Sequence, residues 1–393
     1  MDRHPGLANG PIYLDYNATT PTDPRVVEAM LPYLSTHFGN PSSGHHYATA
    51  PAAALAAARE QVAHVIGARA DEIVFTGNGS EADNLAIRGV ALARRADDPP
   101  HVITQQTEHP GVLATCRALQ RLHDAEVTYL PVDTDGRVDP QALADAITDR
   151  TVLVSIMIAN NETGTIQPIA ELAGIARDRG VLFHTDAAQG VGKVPVDVAV
   201  LGVDLLTVVG HKMYAPKGVG ALYVRAGTRL EPLVLGGGQE RGVRAGTEDV
   251  AHAVALGTAA ELAAADLATG EPDRLRHLRD ELHHRLEQQF PGEVLLNGHP
   301  TERLPNTANL ALLPHRGDDL LTAARGLAAS TGSACHTGET HPSPVLTAMG
   351  QAGERAGSAV RLSLGRWTTA DDIADAVDQL VGAAAGLGRA AVR

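Results

Sequence analysis

Only two cysteines, Cys116 and Cys335, occur in the 393 residues. So few make no disulfide framework, and a reducing cytoplasm is the expected setting. A cysteine there persists as a thiol and is available as a nucleophile. Aromatic residues are also scarce, at 3%, which leaves Ala, Val and Leu to fill the core. No run of 18 apolar residues occurs, so no membrane span is expected. The first ten residues carry Asp2, Arg3, His4 and Pro5 and no apolar stretch, so no signal peptide is read there. Basic residues are outnumbered: 32 Lys and Arg face 46 Asp and Glu, a net charge of −14. That balance argues against direct binding of nucleic acid or of an anionic membrane, which need a basic surface.

What the chain does have is pattern. Short apolar runs at 72–76, 101–104, 127–130, 152–158, 181–183, 205–209 and 220–225 alternate with stretches such as 52–66 and 168–179 that suit amphipathic helices. Runs buried on both faces and separated by helices predict an α/β fold with a mostly parallel, seven-stranded sheet. Such sheets bind ligands beyond the carboxyl ends of their strands. After Thr247 the pattern changes. Residues 251–265 and 275–289 read as helices, Gly270-Glu-Pro272 as a break, and 307–313 and 358–364 as strands of a smaller α+β unit. The expected division is a large domain over 16–265 and a small domain made of 1–15 and 266–393.

Residues with chemistry stand at the strand ends. Phe75-Thr-Gly-Asn-Gly-Ser80 links a strand to a helix, and the backbone N–H groups of such a turn suit an anion. Taken alone it reads equally well as a turn with Ser80 as helix cap. Asp186 ends the 181–183 run, where a carboxylate is costly unless paired; by itself it also reads as a cap. Lys212 follows the 205–209 run, and a lysine desolvated there can lose its charge and form a Schiff base. A lysine, an acid for a ring nitrogen and a phosphate cradle together are what pyridoxal 5′-phosphate (PLP) requires. His109 and Asn161 also follow strands, and each alone is as readily structural. No metal is called for.

Taken together the motifs resemble the cysteine desulfurases, within the class V aminotransferase group of fold-type I PLP enzymes. The resemblance runs from Tyr13-Leu-Asp-Tyr-Asn-Ala-Thr-Thr-Pro21 and Gly39-Asn-Pro-Ser-Ser43 through Thr107-Glu-His109, Asn160-Asn-Glu-Thr-Gly164 and His184-Thr-Asp-Ala-Ala-Gln189. It continues in Gly210-His-Lys-Met-Tyr-Ala-Pro-Lys-Gly218, the 236–247 segment, Thr331-Gly-Ser-Ala-Cys335 and Val360-Arg-Leu-Ser-Leu-Gly-Arg366. It implies that Lys212 carries PLP, Asp186 pairs with the ring nitrogen, His109 stacks on the ring, and Gln189 and Asn161 contact its hydroxyl. Gly79, Ser80 and His211 hold the phosphate. Thr247 reaches the phosphate of a partner subunit, which implies a homodimer. Arg361, with Asn161, holds the carboxylate of L-cysteine. Cys335 is the nucleophile that takes the sulfur as a persulfide and passes it to a protein acceptor such as an iron–sulfur scaffold. The 330–344 loop matches the long-loop branch, while Cys116 reads as a core residue inside a helix.

Two positions depart from the family. Val209 stands where a serine usually bonds the phosphate, so weaker PLP retention is expected unless Thr207 or a backbone amide substitutes. His336 follows the nucleophile where Ser or Thr is common. A selenocysteine lyase or another class V aminotransferase remains a rival of the same fold; a catalytically inactive sulfur-transfer scaffold is the rival of another class.

Overall fold

The computed structural model describes residues 3–94, 98–332, 342–351 and 353–390. Seven strands form the main sheet: β1 (Ile73–Thr76), β2 (His101–Gln105), β3 (Glu126–Leu130), β4 (Thr151–Ser155), β5 (Leu182–Asp186), β6 (Leu205–Val209) and β7 (Gly220–Val224). Their order is β1-β7-β6-β5-β4-β2-β3. Only β7 runs antiparallel to its neighbours; the other pairings are parallel. Each expected run thus becomes a strand of one sheet.

Alternation of side chains explains why the runs read as continuously apolar. Val74, Val102, Leu153, Leu205 and Leu222 enter one core, while Phe75, Ile103, Val154, Phe183 and Val208 enter the other. Both faces of the sheet are therefore covered. Helices α1 (His46–Val65), α4 (Ile169–Asp178) and α5 (Val250–Thr269) supply apolar residues to the second core, and α2 (Gly79–Ala93) and α3 (Pro110–His123) to the first. Cys116 is fully buried within α3, as expected of a core residue. Helix α1 begins at His46 rather than at residue 52. Pro51 inside it only removes a bond to the Tyr47 carbonyl. That carbonyl is approached by Gly39, where any Cβ would sit 2.1 Å from the oxygen.

Helix α5 is long and apolar enough to cross a membrane by composition, yet its Ala255, Leu256, Ala259 and Ala260 are buried in the core against α1. It ends at Gly270, whose φ of 84° permits the left-handed cap, and α6 (Glu271–Gln289) starts at once with Pro272 in its first turn. The break expected at Gly270 is this junction.

A third core follows. Strands β8 (Val294–Asn297), β9 (Thr307–Leu312) and β10 (Ala359–Ser363) pair antiparallel in the order β10-β9-β8. Leu278, Leu282 and Leu286 of α6 pack on them with Ile373, Val377 and Leu380 of α7 (Ala370–Ala390). Leu14, far upstream in sequence, joins this core. Asp15, Tyr16 and Asn17 follow it directly and lead the chain toward the ends of the main-sheet strands.

Candidate active site

Strands β1, β4, β5 and β6 all point their carboxyl ends the same way, because β7 is antiparallel to both β1 and β6. A cavity of about 1290 Å³ opens there. Its walls include Lys212, Asp186, His109, Gln189 and Asn161, together with Gly79, Ser80, His211 and Arg361. Nearly all the residues singled out in the sequence thus meet in one place. Thr247 does not; it is exposed and lies off this cavity. Cys335 and His336 lie outside the described residues, but Gly332 and Pro342 on either side of that segment both line the cavity.

The lysine is presented by geometry. Strand β6 ends at Val209, and Gly210-His-Lys212 forms one tight turn that aims the amine back over the strand end. Lys212 Nζ donates to the carbonyls of Asn17 and Ala18, both at 2.7 Å. Burial, then the Arg361 charge, lowers its pKa to about 8, against the opposing pull of Asp186 and Asp15. A lysine so placed is a good nucleophile near neutrality.

Asp186 closes β5. One carboxylate oxygen accepts from Ala188 N at 2.9 Å, and the other has no partner among the described residues. Burial raises its pKa, and His109 and Lys212 oppose that. A cationic ring nitrogen facing the second oxygen would satisfy it. His109 caps α3 by accepting from Gly111 N at Nδ1, 3.0 Å away, so a neutral ring carries its proton on Nε2. Burial also lowers the His109 pKa. Ligand-type atoms of Asp83, His109 and Asp186 lie within 4.8 Å of one another. Asp83 is buried, with Oδ1 unpartnered, and burial beside Asp186 drives it toward the neutral acid. Glu108 beneath it is pushed up to about 8 by burial.

At the other end, Asn78 Oδ1 caps α2 through Glu81 N at 2.8 Å. The N–H groups of Gly79 and Ser80 make no hydrogen bond to a described residue. They are free for an anion. His211, neutral because burial lowers it to about 4, bonds Thr19 Oγ1 at 3.2 Å. Val209 lines this wall, and a Cβ on Gly79 would meet Val209 Cγ2 at 2.5 Å. Thr207 is no substitute donor: its hydroxyl bonds His184 Nε2 at 3.1 Å, away from the cavity. The donor set suits a ring that is cationic at one end and anionic at the other.

Arg361 sits on β10 and is buried. Its guanidinium bonds Asp15 Oδ1 at 2.7 Å and the Asn161 carbonyl at 3.1 Å, and Nε has no partner among the described residues. Sequence reasoning assigned no role to Asn17, Asp15 or Lys193, which the structure brings into the site. Asn17 and Asp15 lie within a quoted motif; a buried lysine has no signal in sequence.

Comparison with known proteins gives a consistent picture. The aminotransferase class-V family description matches residues 12–376. The chain is 47% identical over 371 residues to the cysteine desulfurase IscS of Dictyoglomus turgidum, covering 94% of this chain and 93% of that protein. It is 48% identical over 367 residues to the cysteine desulfurase IscS of Methanosarcina thermophila, covering 93% and 90%. Among solved structures, a NifS-like protein superposes with a TM-score of 0.87 at 34% identity, over 94% of this chain and 98% of that one. SspA in complex with cysteine superposes with a TM-score of 0.79 at 36% identity, over 91% and 99%.

Proposed function

This chain belongs to the aminotransferase class-V family and is a cysteine desulfurase, and from that premise we propose how its own residues convert L-cysteine to L-alanine and leave the sulfur on Cys335. The observation that carries the reading is one cavity that joins the Lys212 amine, the Asp186 carboxylate and the Arg361 guanidinium, with Gly332 and Pro342 at its wall.

PLP fits the donor set; when bound it supplies an aldehyde for amines and a cationic ring that stores an electron pair. Lys212 holds the aldehyde end. Asp186 balances the ring nitrogen, His109 covers the ring face, and Gln189 and Asn161 face the ring hydroxyl. Gly79, Ser80 and His211 bind the phosphate. Arg361, with Asn161 beside it, takes the substrate carboxylate in place of part of its Asp15 contact, a fork that suits two oxygens. Lys212, once displaced, removes the Cα proton, and His109 Nε2 is placed to pass protons. The Cys335 thiolate attacks the substrate sulfur: an S–S bond forms, the Cβ–S bond breaks, and its electron pair returns to carbon. Protonation of Cβ, return of the proton to Cα from Lys212 and release of the amino group as Lys212 retakes its place give alanine, and the persulfide holds the transferred sulfur.

The reading includes a homodimer in which Thr247 serves the partner's phosphate site. Exposed Leu31, Leu34, Phe38, Tyr47 and Leu235 support it, being large apolar side chains without cover. It also includes two domains divided near 265/266, within α5, where the cores change over between Ala263 and Leu275. The persulfide passes to a protein acceptor or iron–sulfur scaffold, in the cytoplasm, with no direct nucleic-acid or membrane contact.

The test is product analysis with L-cysteine. Wild type yields alanine and a persulfide mapped to Cys335. Cys335→Ser keeps the PLP colour and loses the persulfide, and Lys212→Ala loses the colour. Persulfide in Cys335→Ser would overturn the assignment.

A further inference from the structure

Lys193 has no part in the chemistry described above. It follows Gln189 by four residues in the turns that leave β5, and it is buried. A lysine is almost never buried without a carboxylate to balance it. Lys193 forms no ion pair with a described residue; its Nζ donates to two amide oxygens, Gln189 Oε1 and, at 3.4 Å, Asn17 Oδ1. The charges that act on it are Lys212 and Arg361, both cationic, and with burial they hold it well below the ordinary lysine range. A neutral amine still has two N–H groups to donate, and two acceptors are there.

Those two bonds have consequences. An amide whose oxygen is fixed has its nitrogen fixed too. With Oε1 turned to Lys193, Gln189 Nε2 donates to the Asn17 carbonyl at 3.0 Å. With Oδ1 turned to Lys193 and to Asn306 Nδ2 (3.1 Å), Asn17 Nδ2 donates to Thr307 Oγ1 at 2.8 Å and to the Asn161 carbonyl at 3.1 Å. The Asn17 carbonyl is the one on which Lys212 Nζ rests. Asn17 has Asn306 as a second anchor, whereas Gln189 Oε1 has Lys193 as its sole partner among the described residues.

We propose that Lys193 is a positioning residue: it orients the Gln189 and Asn17 amides and so holds the carbonyl shelf that presents Lys212 to PLP. The inference rests on the assignment of Lys212 as the PLP lysine. Without Lys193, Gln189 loses its anchor, the shelf loosens, and the Lys212 amine spends less time aimed into the cavity. A lysine that only filled space would be replaced by methionine at little cost, since the two side chains have similar length.

The experiment measures PLP capture by the cofactor-free protein, trapped on Lys212 by borohydride and mapped by peptide mass. The variants are Lys193→Met, Gln189→Ala and the two combined, with the melting temperature of each cofactor-free protein recorded alongside. Lys193→Met is expected to slow capture about tenfold with melting little changed, and the combined variant to be no slower than the slower single one, because linked residues are not additive. Wild-type capture in Lys193→Met, or effects that multiply in the combined variant, would overturn the inference. Should Lys193→Met fail to fold, Lys193→Ala, which removes the same donor, decides by the same readouts: slow capture with melting little changed supports the relay and wild-type capture overturns it. Lys212→Ala is the control. Trapping elsewhere in that variant sinks the cofactor assignment together with this inference. Loss of trapping there, beside normal capture in Lys193→Met, sinks this inference alone.

Discussion

With Lys212 proposed as the amine that captures PLP, the sign of its pH dependence follows from its surroundings. Burial and Arg361 bring its pKa down to about 8. Only the free amine captures an aldehyde. Capture of PLP by the cofactor-free protein should therefore be flat above about pH 8 and fall by about tenfold per unit below it. A profile flat from pH 6 to 9 would contradict the shift. Val209 belongs to the same scale. It cannot donate to a phosphate, and Thr207 is occupied by His184. Val209→Ser should strengthen PLP retention by up to about 1.5–3 kcal/mol, the range for a hydrogen bond to a charged group. Equal dissociation rates would mean that the free N–H groups of Gly79 and Ser80 already suffice. Gly79 and Val209 also form one steric unit. Gly79→Ala should lower the melting temperature, and combining it with Val209→Ser should recover most of the loss.

At the level of elements, the site depends on how β10 and the segment after it meet the parts of the chain around the main sheet. Arg366, buried three residues beyond β10, bonds Asp23 Oδ2 at 2.5 Å and Asp266 Oδ2 at 2.5 Å. It also lies over the Tyr214 ring at 4.1 Å, close after Lys212 in the chain. One side chain thus joins the segment at Asp23, the end of α5 and the turn after Lys212. Arg366→Ala leaves Asp23 to Arg25 alone, and Asp266 without an ion pair to a described residue, and should cost about 1.5–3 kcal/mol, read as a lower urea midpoint. A loss under 1 kcal/mol would show that the joint is not structural. Most elements were legible in the sequence because both faces of each strand are apolar. The strand expected over 152–158 ends at Ser155. Beyond it the chain still bonds β5, through Ile156 N to His184 O and Ile158 N to Asp186 O. Hydropathy does not register where ladder pairing ends.

For the whole molecule the exposed apolar surface bears on assembly. Leu34 is 58% exposed and Phe38 69% exposed, beside Tyr47 at 61%. The Phe38 and Tyr47 rings lie 5.5 Å apart, and exposed apolar groups of that size suit a covered surface. Phe38→Arg should shift the protein toward monomer in sedimentation and, if Thr247 acts across the interface, weaken PLP retention as well. A Phe38→Arg variant that sediments like wild type would remove this surface from the interface.

The sequence by itself determined the alternation of strand and helix and the place of Cys116 in the core, and it named the candidate reacting groups, since residue types and apolar periodicity are local properties. Order and direction in the sheet, with β7 reversed, were decided in three dimensions, as was the meeting of Asn17, Gln189, Lys193 and Arg361 around Lys212. The reason is physical. Pairing between strands and hydrogen bonds across 172 or 195 residues of chain depend on which surfaces pack together, and no local pattern encodes that. The burial of Lys193 is the plainest case: its four-residue spacing from Gln189 is visible in the sequence, but the solvent it loses is not.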